Sequence, residues 1–368
     1  MRQAPAVTLV VVLALLGALF LSVVGIDALE GRNDFQFFAD SPTYHEAARG
    51  GLGHVDNLAD MVGIAANFLG PLVLLQLADD NYYAILALNA LLLAFGVTSL
   101  ARSLRVDAVK LLLLLLLNPM TISSLLSVNK EIISLVFVAL LVRAYAAGSI
   151  GALLLAAVVS VLVRWQLTMV LIAASMMVGA VNPLREHRRT TLLLLLAALS
   201  VVYLQLAATL EPIRINFEDA AESYEGSGFY EKLVSLQDAG WYWAIFPAKA
   251  AHLLFGMGLR LDRLFNPTNA YNDFWQLLHS TTLLLLFVAL LRARRFTLGN
   301  DLVYLSLIYV AVFAITPIYT PRYFYPVYVL WAAALCTPDR LSAVFGARRP
   351  RRRVGPEPRV VAAPVPGT

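Results

Sequence analysis

Apolar residues collect in ten blocks, at 6–25, 82–101, 108–126, 131–147, 150–164, 166–182, 190–210, 275–291, 302–318 and 323–337, parted by polar or basic joints. Blocks such as Ala6 to Gly25 and Thr191 to Thr209 can cross a hydrocarbon core of about 30 Å at about 1.5 Å per residue. Lipid offers an open backbone no hydrogen-bonding partner, so each block predicts a helix. The pattern predicts an all-α, polytopic membrane protein over residues 1–340, with ten transmembrane helices and two long outer joints at 26–81 and 211–274. Residues 341–368, basic and Pro-rich, predict a disordered cytoplasmic tail. Met61 to Ala78 is apolar enough to span but carries Gly63, Asn67, Gly70 and Pro71. It is expected to lie at the outer surface as a juxtamembrane or re-entrant helix.

Composition narrows the class without changing that picture. With 60% hydrophobic and 14% charged residues and a mean hydropathy of +0.73, a soluble globule is excluded. Arg2 and the small residues near the end of the first block resemble a signal peptide, but the apolar run is longer than a usual one and reads as an uncleaved anchor. The single Cys336 excludes an intramolecular disulfide and a cysteine metal cluster. His45, His54, His252 and His279 lack the spacing of a zinc site. The basic balance owes much to Arg348 to Arg353, which suits an anionic lipid surface and not nucleic acid.

Charge sets the orientation. With both termini in the cytoplasm, 18 of the 28 Lys and Arg residues fall inside and 10 outside, five of the latter in the long joint 211–274. A crossing by 61–78 would export the arginine clusters at 185–189, 292–295 and 348–353, so the rule rejects it. The predicted location is the bacterial inner membrane.

The outer side gathers the candidate chemistry. The joint 26–81 holds nine acidic residues against Arg32 and Arg49. Asp40 stands apart because Ser41-Pro42 follows it and opens a helical stretch from Thr43 to Arg49; capping and catalysis are both open to it. Lys130 sits beside Glu131, Arg164 beside Trp165, and Arg322 beside Tyr323, all at outer helix ends. Cations left outside need an electrostatic partner, and a phosphate-bearing lipid is one. Structural readings stand beside this: Glu131 suits the positive end of a helix dipole, and Arg164 with Trp165 suits an interfacial anchor. In the joint 211–274, acidic residues give way to Trp241, Tyr242 and Trp243, which predicts interfacial helices, with sugar stacking as the alternative.

The order of these features resembles the integral-membrane glycosyltransferases of the C superfamily, which include protein O-mannosyltransferases and aminoarabinose transferases. The resemblance rests on Asp40-Ser41-Pro42-Thr43-Tyr44 in the first outer joint, Asn118-Pro119 followed by Ser127-Val128-Asn129-Lys130-Glu131, and Thr320-Pro321-Arg322-Tyr323-Phe324-Tyr325-Pro326. It covers about residues 1–180 and the last three blocks, as a short form without a C-terminal soluble domain. It implies transfer of a sugar from a polyprenyl-phosphate donor to an acceptor at the outer face, with Asp40 and Glu131 catalytic. Arg322, Arg164 and Lys130 would bind the lipid phosphate, and Tyr44, Tyr323 and Trp165 would line the substrate pocket. The cofactor is unknown from the sequence: Asp40 is single where many relatives carry an adjacent acidic pair, which leaves a divalent cation, Mg or Mn, held by Asp40 and Glu131 as an option. Two other functions fit the same features: a polysaccharide polymerase acting on polyprenyl-pyrophosphate glycans, and a lipid-linked glycan transporter or flippase.

Overall fold

A computed structural model of the chain describes residues 3–26, 41–50, 66–178, 182–184, 186–222, 228–256, 274–316 and 321–338. Among these residues all regular structure is helical. The helices are α1 (Ala4–Val24), α2 (Ser41–Gly50), α3 (Ala66–Ala78), α4 (Tyr82–Leu104), α5 (Ala108–Leu116), α6 (Pro119–Leu126), α7 (Lys130–Ala147), α8 (Ile150–Val163) and α9 (Trp165–Val178). They continue as α10 (Arg188–Glu222), α11 (Gly228–Asp238), α12 (Tyr242–Phe255), α13 (Gln276–Arg292), α14 (Asp301–Ala314) and α15 (Tyr325–Cys336), the last entered through a 3-10 turn, Pro321–Phe324.

Short polar side chains start these helices. Asn81, Asp107, Asn118, Asn129, Ser149 and Asn300 each accept a backbone N–H at a helix start. Such caps satisfy donors that a helix end leaves open, which lets helices begin inside an apolar bundle. The block expected to span at 108–126 is broken in the middle. Pro119 biases the preceding Asn118 out of the helical region, to φ −91° and ψ 123°. The segment therefore breaks into α5 and α6, bent by 89°.

α7 occupies the centre. Every residue from Lys130 to Val142 is buried, between α4 on one side and α8 on the other. Gly96 of α4 faces Leu135, and a Cβ there would stand 2.9 Å from the leucine side chain. α15 is buried from Tyr325 to Ala334. Its Trp331 packs against Phe255, Phe287 and Phe296 and donates to Ser306 Oγ at 2.8 Å, tying α12, α13 and α14 around it. α1 presents Leu15, Leu19 and Val23 outward, each more than half exposed, as an apolar stripe.

Among the described residues three helical stretches are long and apolar enough to cross a membrane: α1, α4 and 188–205 of α10, with α5 and α6 together as a fourth. Helices α8, α9 and α14 have 14 residues each and α15 has 12; at about 1.5 Å per residue they reach only roughly 18–21 Å. α10 runs 35 residues, so the joint expected to begin at 211 starts as a continuation of helix. α3, with 13 residues, is likewise shorter than a span. It packs on α8 and α2, and a Cβ on Gly70 would stand 2.8 Å from Leu162 O, so only glycine permits this approach.

The arginines near the start of α14 and the end of α15 are held by local partners. Arg188 pairs with Asp301 and donates to Leu298 O at 2.8 Å, while Arg295 donates to Leu335 O at the end of α15.

Candidate functional site

The site is built where three helix ends meet. Asn129 caps α7, accepting the Lys130 N–H at 2.7 Å, so Lys130 and Glu131 are the first two residues of a buried helix. Arg164 is the extended residue between α8 and α9, at φ −165° and ψ 133°. Its N–H bonds back to Ser160 O at 3.1 Å and its carbonyl accepts the Leu167 N–H at 2.9 Å. This corner turns the guanidinium inward, where Nη2 donates to Glu131 Oε1 at 3.2 Å. Arg164 is 4% exposed and Glu131 2%, so the pair is desolvated. Glu131 Oε2 has no hydrogen-bonding partner among the described residues.

Tyr323 joins the third element. Its ring centre lies 3.7 Å from the Arg164 guanidinium carbon and 5.5 Å from that of Arg322, within cation-π range of both. The Tyr323 carbonyl accepts from Tyr309 OH at 2.8 Å. The turn carrying both residues is fixed from behind. His279 Nε2 lies 3.0 Å from Pro321 O, and a carbonyl only accepts, so Nε2 carries the proton. Nδ1 is then the acceptor for Asn118 Nδ2 at 2.8 Å, while Asn118 Oδ1 caps α6 through Met120 N–H at 3.0 Å. Thr121 Oγ1 and Tyr325 OH add a bond of 3.0 Å. The break between α5 and α6 thus serves as the anchor for the Arg322 turn.

α2 lies alongside. Tyr44 is 1% exposed, packed with Leu75, Ala78, Ile85 and Val128, and Lys130 Nζ stands 5.5 Å from its ring centre. One residue on, His45 Nδ1 pairs with Asp80 Oδ1 and the imidazole stacks on Tyr82 at 4.6 Å. Asp40 lies outside the described residues.

Of the residues singled out from sequence, Glu131, Arg164, Arg322 and Tyr323 come together, and Lys130 and Tyr44 meet next to them. Trp165 is half-buried at the start of α9 and makes no ring contact among the described residues. Asp40, the partner expected to hold a divalent cation with Glu131, lies outside the described residues. One Glu131 carboxylate oxygen is taken by Arg164, and no three His, Cys, Asp or Glu side chains cluster among the described residues.

Sequence reasoning missed two groups. His45 with Asp80 is one; its signal is the four-residue spacing from Ser41 on a single helix face. Lys249 is the other, fully buried within α12, with Nζ donating to Gln237 Oε1 and to Thr316 O and 5.5 Å from the Tyr230 ring centre. Burial pushes its pKa down to about 7, opposed by the Asp238 carboxylate. Gln237 also donates to Ile315 O, so the α11–α12 hairpin caps the end of α14 just before the Arg322 turn. The visible signal was a lone lysine inside an apolar, aromatic run.

Among the described residues the fold is all-helical, with helices long and apolar enough to cross a membrane and a desolvated cluster of guanidinium and carboxylate groups where three helix ends meet. No protein-family model, curated protein or solved structure matches the chain.

Proposed function

We propose that the protein is a glycosyltransferase that moves a sugar from a polyprenyl-phosphate donor to an acceptor at the outer face of the bacterial inner membrane. The observation that carries this is the meeting of Glu131, Arg164, Arg322 and Tyr323 from segments far apart in sequence. In transfer, the bond from the sugar's anomeric carbon to the phosphate oxygen breaks and the phosphate keeps the electron pair. The acceptor oxygen bonds to that carbon and gives up its proton. Preorganised cations stabilise the departing phosphate most where water is scarce. Arg322 takes that role, since a guanidinium offers phosphate a two-pronged grip. Arg164 is a positioning residue, held by Glu131 and Tyr323, and Lys130 adds positive charge at the helix start. The proton goes to a carboxylate: Asp40 is the base, and Glu131 Oε2 is the acceptor atom left open in the buried pair.

The 89° break between α5 and α6 favours a second reading, transport of a lipid-linked glycan, because transporters build sites at broken helices. One experiment separates them. Purified protein in nanodiscs is given polyprenyl-phosphate hexoses, and free polyprenyl phosphate is measured. Release is expected, lowered about 10–100-fold in Arg322→Ala and less in Arg322→Lys, where charge survives and the fork is lost. Bilayer crossing of the intact lipid without release would instead establish the transporter, and consumption of only polyprenyl-pyrophosphate glycans would establish a polymerase.

The outer location has its own test. A reporter active only in the periplasm, fused after Arg353, is expected to be silent, because both termini are cytoplasmic in this reading. Activity there would invert the orientation and move the site to the cytoplasmic face.

A further inference from the structure

His45 and Ser41 share one face of α2, and both are buried, at 2% and 1% exposure. Neither His45 Nε2 nor Ser41 Oγ has a hydrogen-bonding partner among the described residues. A buried polar atom left open carries a cost, which a bound ligand removes. Other features fix the imidazole in place. Nδ1 faces the Asp80 carboxylate, and its stack on Tyr82 is tilted by only 15°. A carboxylate accepts and cannot donate, so it holds the Nδ1–H form and leaves Nε2 as a lone-pair acceptor. Asp80 reaches His45 from a strained turn. Asp79 and Asp80 are consecutive non-glycine residues in the left-handed region, at φ 50° and 55°. Such backbone persists where its surroundings over-determine it and collects at binding sites. The turn is held by Asp80 N–H to Leu75 O at 3.1 Å and by Asn81 capping α4. The residue next to His45, Tyr44, packs against Lys130, which neighbours Glu131.

We infer that His45 Nε2 and Ser41 Oγ form a subsite for hydroxyl groups, one accepting and one able to do either, that holds the sugar of the lipid substrate. Asp80 is its positioning residue. The inference rests on the lipid-phosphate reading and deepens it: Arg322 grips the phosphate, and α2 reads what the phosphate carries. A sugar's hydroxyls match both atoms, whereas the oxygens of an ionised lipid phosphate only accept and leave Nε2 unmatched.

Binding tests this without turnover. The intact protein in nanodiscs is titrated with a short-chain polyprenyl-phosphate mannose and with the same polyprenyl phosphate lacking the sugar. Wild type is expected to bind the mannosyl lipid about tenfold tighter. His45→Phe keeps the stack on Tyr82 and removes both nitrogens; it is expected to abolish the preference while leaving affinity for bare polyprenyl phosphate unchanged. Ser41→Ala, a milder change that keeps the helix, is expected to cut the preference by about threefold. Arg322→Ala is expected to weaken both lipids equally. A preference that survives in both α2 variants overturns the subsite, as does a wild type that binds the two lipids equally. Failure of wild type to bind either lipid overturns the lipid-phosphate reading and this inference with it.

Discussion

Arg164→Met is expected to be the most destabilising single substitution in the buried cluster, at about 3–5 kcal/mol. The change leaves Glu131 charged, 2% exposed and without its guanidinium, and removes the cation stacked on Tyr323. Taking a carboxylate out of water is tolerated only when a partner compensates it. The double variant Arg164→Met with Glu131→Gln is therefore expected to recover most of the loss, because an amide is cheaper to bury than an unpaired carboxylate. Melting of the purified single and double variants in one detergent gives the coupling directly. If the double variant loses as much as the sum of its two singles, the ion pair is not coupled and Arg164 is held by its helix corner alone.

Asp40→Asn is expected to abolish transfer, with a loss of about 10²–10⁴-fold, while expression and melting stay at the wild-type level. Asp40 lies outside the described residues, so the prediction rests on chemistry read from the sequence. An amide keeps the shape of the carboxylate and is about as good a helix cap, yet it cannot take up a proton. If Asp40 only caps the helix that begins at Ser41, the variant remains active. The measurement is glycan or glycolipid output in cells lacking the native copy. Full output from Asp40→Asn would transfer the base to another group, and Glu131→Gln is then the variant to compare.

The starts of most helical blocks were legible from the apolar pattern, and the caps found there act locally. Asn118-Pro119, Asn129-Lys130 and Asn300-Asp301 are local signals, since a cap bonds within three residues and proline restricts its immediate neighbour. Pro119 was in view, yet the apolar run across it read as one span. Hydrophobic blocks alone do not register a break that buried side chains stabilise. At 302–318 and 323–337 the blocks hold α14 and α15, helices of 14 and 12 residues that are shorter than a span and buried along almost their whole length.

By itself the sequence determined the helical class, most helix starts and the corner at Arg164, because each depends on residues within a few positions or on simple partition between water and lipid. Only the tertiary structure decided that Glu131 meets Arg164, 33 residues away, that His279 holds the Pro321 turn, 42 away, and that His45 faces Asp80, 35 away. The central helices α7, α14 and α15 are apolar on every side, so no stripe marks which face meets which neighbour. Their pairing is set by shape: Gly70 and Gly96 admit close approach, and the few buried polar groups must find one another because the apolar interior offers them no other partner.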